Sequence, residues 1–376
     1  MIPFNKLYFT GNETKYMSDA MSRGKTAGDG YYTKQCQDFF CDTYGFKKTF
    51  LTTSCTDALE LSALLLDLKS GDEVIMPSYT FVSMANAFLL RGAKLVFADS
   101  SELNPNIDID KIEALITPAT KAIVVVHYAG IACDMDRLKA IADKHGVFLV
   151  EDAAQGFDSY YNGKPLGGIG HLGAMSFHET KNTTCGEGGL LIINDERFIK
   201  RAEIIREKGT NRSAFFRGEI DKYSWVDIGS SFLPSDMLAA HLYAQLEQKD
   251  DIQQKRIAAW DVYHKALQPL EAKGIVRLPH LPSFATNNAH IFYLICKDLE
   301  TRSAFISHMK ANGVQTPFHY VALHNSPYYI EKHGDRELPM VTVYQDHLVR
   351  LPLFAGIEAH EVERVCELTL AFFNNN

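Results

Sequence analysis

Lys181 lies in the run Ser176-Phe177-His178-Glu179-Thr180-Lys181-Asn182, just ahead of the glycine turn Gly186-Glu187-Gly188-Gly189. Asp152 closes the apolar run Val147-Phe148-Leu149-Val150-Glu151-Asp152. A lysine amine held near a carbonyl carbon can bond to it covalently. A carboxylate beside a ring nitrogen keeps that ring protonated and electron-withdrawing. Together they would serve a carbonyl cofactor. Thr52-Thr53-Ser54-Cys55-Thr56-Asp57 runs from a strand-like into a helix-like segment, so free N–H groups and the Ser54 and Thr56 hydroxyls could cradle a phosphate. Simple N-capping by Ser54 or Thr56 is the alternative. Ser176 adds another hydroxyl, and Phe81, just past a strand-like run, could stack on a planar ring or pack in the core.

These residues need a scaffold that gathers strand ends. From residue 48 to about 195, short β-rich runs alternate with helix-like segments, the pattern of an α/β domain with a mainly parallel sheet. The runs are Thr49–Thr52, Glu73–Met76, Lys94–Phe97, Ala122–Val126, Val147–Val150, Ala174–Phe177 and Gly189–Ile193. Periodic stretches from Asp57 to Leu66 and Asp134 to His145 read as covering helices. In open α/β sheets, ligands collect at the carboxyl edge.

Beyond this core, residues 196–208 read as a helix and 209–232 as an irregular stretch. One long helix is expected from about Ser235 to Leu267. Ile291–Cys296, Arg302–Lys310 and Val362–Phe373 then suggest a smaller α+β unit. The expected division is a large domain over residues 1–245, whose N-terminal segment can pack on the small unit, and a C-terminal domain over 246–376. Arg23–Tyr31 reads as a flexible loop able to close over a ligand, or as an ordinary surface loop.

With 46% hydrophobic and 22% charged residues, the 376-residue chain has an ordinary globular composition. Net charge −8 and a pI near 6.0 argue against nucleic-acid binding. Seven scattered cysteines fit reduced thiols in the cytoplasm, and neither a signal peptide nor a bilayer-length apolar run is seen.

Gly168-Ile169-Gly170-His171-Leu172-Gly173 has the letters of a dinucleotide loop. It precedes a strand-like run instead of linking strand to helix, which argues against a nicotinamide oxidoreductase. His178-Glu179 begins like a zinc motif, but Asn182 stands where the second histidine belongs, so no metal is expected. A ligand sensor without catalysis would not need both Asp152 and Lys181.

The chain resembles the sugar-nucleotide aminotransferases, pyridoxal 5'-phosphate enzymes of the aspartate aminotransferase fold. The resemblance rests on Pro77–Ser83, Val126–Gly130, Glu151–Gln155, Ser176–Asn182 and Gly186–Gly189, and extends from Phe4-Asn5-Lys6 to Leu351–Phe354. Lys208–Ser213 and Asp227–Ser231 resemble the branch making dTDP-4-amino-4,6-dideoxygalactose. The resemblance implies PLP fold type I and a cytoplasmic homodimer with active sites at the subunit interface.

It also implies that Lys181 carries the cofactor and moves a proton, while Asp152 pairs with the ring nitrogen. Phe81 would stack on the ring, Gln155 would meet its hydroxyl side, and Ser54, Cys55, Thr56 and Ser176 would hold the phosphate. Ser231 stands where many relatives have an Asn that reaches the neighbouring subunit's cofactor. Lys208, Asn211, Arg212, His319, Tyr320 and His324 become candidates for a dTDP-ketosugar, with L-glutamate as amino donor. The resemblance leaves open C3 or C4 amination and the product epimer.

Overall fold

A computed structural model describes residues 1–333 and 336–375. The strands are β1 (Lys48–Thr52), β2 (Glu73–Pro77), β3 (Lys94–Ala98), β4 (Thr120–Val126), β5 (Phe148–Asp152), β6 (Tyr160–Tyr161), β7 (Lys164–Pro165), β8 (Leu172–Ser176), β9 (Gly189–Ile193), β10 (Phe292–Ile295) and β11 (Leu348–Leu351). Seven form one sheet in the order β1-β9-β8-β5-β4-β2-β3, the seven runs read from the sequence. All neighbours from β3 to β8 are parallel, and β9 runs antiparallel to both β8 and β1. The mixed, mostly parallel sheet with flanking helices is the α/β architecture that the resemblance implies.

Alternation along the strands explains the layers. Val124 and Val150 enter the core on one face, while Ile123, Val125 and Leu149 enter that on the other. A third cluster surrounds the antiparallel β10–β11 pair, drawing on Trp260, Tyr263, Phe305 and Val365. Ile2 joins it, donating its N–H to Gly313 O at 2.8 Å. No described helix is long and apolar enough to cross a membrane.

The structure corrects two expectations and adds two helices. The long helix is two, Asp236–Leu246 and Lys249–Ala272. The first buries Leu242 and Leu246 in the large sheet's core and the second buries Trp260 and Tyr263 around the β10–β11 pair, so the chain turns between them. The irregular stretch contains a short helix, Arg212–Phe216. The Arg23–Tyr31 loop lies between helices Glu13–Ser22 and Tyr31–Tyr44, neither of which the sequence reading placed. Helix Tyr31–Tyr44 has Gly30 at its N-cap and no local side-chain cap. Buried Asp236 caps it from across the fold, accepting from Thr33 N at 2.8 Å and Tyr32 N at 3.3 Å.

The glycine-rich decoy also has a structural purpose. Glu151 is fully buried and accepts from the N–H groups of Gly167 (2.9 Å), Ile169 (2.7 Å) and Gly170 (2.6 Å), with His127 Nε2 at 3.0 Å. The loop's donors are therefore spent on an internal carboxylate. Glu151→Ala would strand them in the core, and we expect a loss of about 3–5 kcal/mol in denaturant unfolding. A loss below about 1 kcal/mol would contradict this assignment.

Candidate active site

A cavity of about 710 Å³ opens at the carboxyl edge of the large sheet, facing β11 and the 318–320 segment. The parallel register places Val126 opposite Asp152, and Asp152 opposite Ala174, so these strand ends share one edge. Ser54, Cys55, Thr56, Phe81, Asp152, Gln155, Ser176, Lys181, His319 and Tyr320 all line the cavity.

Asp152 Oδ1 accepts from Ala154 N at 3.0 Å, whereas its second oxygen has no hydrogen-bond partner among the described residues. Burial pushes its pKa up, while the Ala154 N–H and nearby Lys181 pull it back down. A protonated ring nitrogen is the cation this carboxylate lacks. Lys181 Nζ likewise has no hydrogen-bond partner among the described residues. Its surface is accessible because it faces the cavity, yet the surrounding protein desolvates the amine. Desolvation lowers its pKa, Arg350 adds to the effect, and Cys55 and Asp152 oppose it. The neutral, nucleophilic amine is thereby favoured.

The cavity also has an anion cradle. Ser54 caps helix Cys55–Leu65 by accepting from Asp57 N at 3.1 Å, so the capping alternative holds for Ser54. The Cys55 and Thr56 N–H groups remain without acceptors among the described residues, at the positive end of the helix. A Cβ on Gly189 would fall 2.3 Å from Ser54 C, so glycine is what lets β9 approach this turn. Ser176 Oγ accepts from His178 N at 3.3 Å and keeps its own proton to donate. Partnerless amine, carboxylate oxygen and helix-start N–H groups match the aldehyde, ring nitrogen and phosphate of pyridoxal phosphate.

Phe81 is 58% exposed at the cavity, its ring 6.3 Å from that of Tyr320. Gln155 Oε1 accepts from Ala129 N at 2.7 Å and its Nε2 donates to Tyr320 Oη at 3.2 Å, leaving one amide proton. His319 Nδ1 lies 2.7 Å from Tyr128 Oη, and the Tyr79 hydroxyl donates to His319 O. These bonds latch the segment to the large sheet and hold Tyr320 at φ +57°, a conformation that non-glycine residues rarely adopt.

Five other candidates lie outside this cavity. His324 is buried, its Nδ1 2.7 Å from Ser78 Oγ. Lys208 is exposed, Asn211 accepts from Ser224 N at 2.8 Å, and Arg212 pairs with Glu207 at 3.3 Å. Ser231 is exposed and bridges to Glu207.

The sequence reading missed Arg350, His290 and Asn182. Arg350 interrupts the apolar run Leu348-Val349-Arg350-Leu351, a signal that was available. It lines the cavity, donates to Phe318 O at 2.9 Å and lies 4.4 Å from the Phe4 ring, with no carboxylate partner among the described residues. Such a cation suits an anionic ligand. His290 is also in the cavity wall, and Asn182 locks the chain directly after Lys181. No described group of three or more His, Cys, Asp and Glu residues could hold a metal ion.

Comparison with known proteins bears on this arrangement. The model of the DegT/DnrJ/EryC1/StrS aminotransferase family matches residues 8–369. An aminotransferase from Psychrobacter cryohalolentis is 27% identical, with a TM-score of 0.93 over 99% of each chain. The aminotransferase TlmJ from Streptoalloteichus hindustanus is 27% identical, with a TM-score of 0.90 over 100% of this chain and 99% of that one. A Streptococcus pneumoniae protein assigned as a sugar aminotransferase and solved in its PLP form is 26% identical, with a TM-score of 0.91 over 100% and 99% of the two chains. Since the match leaves out only the ends, the chain belongs to the DegT/DnrJ/EryC1/StrS aminotransferase family and is a sugar aminotransferase dependent on pyridoxal phosphate.

Proposed function

We propose that the protein transfers the amino group of L-glutamate to C4 of dTDP-4-keto-6-deoxy-D-glucose. The products are dTDP-4-amino-4,6-dideoxy-D-galactose and 2-oxoglutarate, and the amino sugar serves surface polysaccharide synthesis of the enterobacterial common antigen type. The observation that carries the chemistry is the cavity shared by Lys181 and Asp152, two ionisable groups with no ion-pair partner among the described residues. Arg350 supports anionic substrates, and the sugar assignment rests on the resemblance of Lys208–Ser213 and Asp227–Ser231.

Bound pyridoxal phosphate supplies an electron-withdrawing ring that lowers the cost of removing a proton from the neighbouring carbon. The chain's residues do the rest. Cys55 and Thr56 N–H groups and the Ser176 hydroxyl hold the phosphate, Phe81 covers a ring face, and Asp152 holds the proton on the ring nitrogen. Lys181 anchors the cofactor and, once displaced by the amino donor, carries the proton from the donor's α-carbon. Its lowered pKa favours the neutral base that this step needs. In the sugar half of the cycle Lys181 returns a proton to C4.

The protein acts as a homodimer in this proposal. Phe216 and Trp225, in the same 209–232 stretch as Ser231, are 68% and 81% exposed, and a second copy would cover them. Ser231 then reaches the partner's cofactor phosphate, and Lys208, Asn211 and Arg212 reach the sugar diphosphate. Incubation with L-glutamate and dTDP-4-keto-6-deoxyglucose, followed by NMR of the product, tests the reading. A C4-amino galacto product is expected; a gluco epimer, a C3-amino sugar or no amino sugar would overturn it.

A further inference from the structure

Asn182 fixes the protonation of a histidine in the cavity wall. Its Nδ2 donates to Gln253 Oε1 and to Asn288 O, each at 2.8 Å, so its Oδ1 must be the acceptor in the 2.9 Å contact with His290 Nδ1. His290 therefore carries its proton on Nδ1. Burial, together with Lys181, Arg256 and Arg350 nearby, disfavours a second proton. The ring is a neutral imidazole with its lone pair on Nε2.

That nitrogen has no hydrogen-bond partner among the described residues, although His290 is only 6% exposed and lines the cavity. It is thus an acceptor without a protein donor, on a residue of the cavity wall. The amino donor offers its ammonium as a hydrogen-bond donor, and that nitrogen is taken up by the reaction. A ketosugar brings ring hydroxyls. The sugar's reacting carbon must also come to Lys181, whose chain neighbour Asn182 is the residue that orients His290. Resting on the sugar aminotransferase reading, we propose that His290 is a specificity-determining residue whose Nε2 accepts a hydrogen bond from a ring hydroxyl of the ketosugar.

The test separates the two half-reactions of the holoenzyme by stopped-flow absorbance of the cofactor. His290→Asn leaves a carboxamide nitrogen near the place of Nδ1, able to donate to Asn182, and removes the acceptor at Nε2. We expect kcat/KM for the ketosugar half-reaction to fall on the order of 10- to 100-fold, while the half-reaction with L-glutamate changes by less than about 2-fold. His290→Gln, which places a carboxamide near Nε2, should retain more of the sugar half-reaction than His290→Asn. Among dTDP-ketosugar analogues lacking one ring hydroxyl, one should be penalised about 10-fold by wild type and not by His290→Asn.

An equal fall in both half-reactions, an unchanged sugar half-reaction, or the same analogue penalty in enzyme and variant would overturn the proposal. If His290→Asn does not fold, the analogue series on wild type and His290→Gln decides: no penalised analogue in either overturns it. A wild-type enzyme that reacts with L-glutamate but with no ketosugar would instead overturn the substrate reading.

Discussion

Lys181→Ala is expected to lower amino transfer on the order of 10,000-fold or more, because one substitution removes both the covalent anchor and the proton carrier. The side chain stands in the cavity without a hydrogen-bond partner among the described residues, and no other described lysine lines that cavity to replace it. Borohydride treatment of the wild-type holoenzyme should fix the cofactor to the peptide containing Lys181, seen by mass spectrometry, and leave the variant unlabelled. Cofactor added back would still find the Cys55 and Thr56 N–H groups, so weak non-covalent binding should survive. An undiminished rate, or labelling that persists in the variant, would refute the assignment.

Asp152→Asn should lower turnover on the order of 100- to 1,000-fold while the cofactor remains bound, because a neutral amide cannot hold the ring proton by charge. The expected stability effect has the opposite sense. Burial raises the Asp152 pKa in the folded protein, so the fold binds its proton more tightly than the unfolded chain does. That contribution favours the folded state at low pH and is lost as pH rises through the raised pKa. At neutral pH, without cofactor, the buried charge is a cost. Apo Asp152→Asn, whose Oδ1 can still accept from Ala154 N, should therefore melt no lower than the apo wild type. A variant that melts lower in the apo form, or one with full activity, would contradict this account.

Both expectations concern residues that could be read from the sequence. Lys181, Asp152, Phe81 and the Ser54–Thr56 turn each follow a β-rich run, and parallel strands bring successive carboxyl ends to one edge. The seven strands were equally legible, because strands buried on both faces are short apolar runs bounded by turns. Helix Tyr31–Tyr44 was not, because its cap is Asp236, more than 200 positions away in the chain. The break between Leu246 and Lys249 was also hidden: the helical pattern continues across it, and only the choice of two different cores bends the chain.

The sequence by itself therefore determined the alternation of strand and helix and the chemistry-bearing residues at the strand exits, since both are written in local order and periodicity. Tertiary structure alone decided which groups have partners. Glu151 absorbs the donors of the dinucleotide-like loop, Asn182 sets the proton on His290, and Arg350 is left without an acid among the described residues. Each of these depends on atoms brought together from distant parts of the chain, and in a low-dielectric interior such pairing decides whether a polar group is structural or open to a ligand.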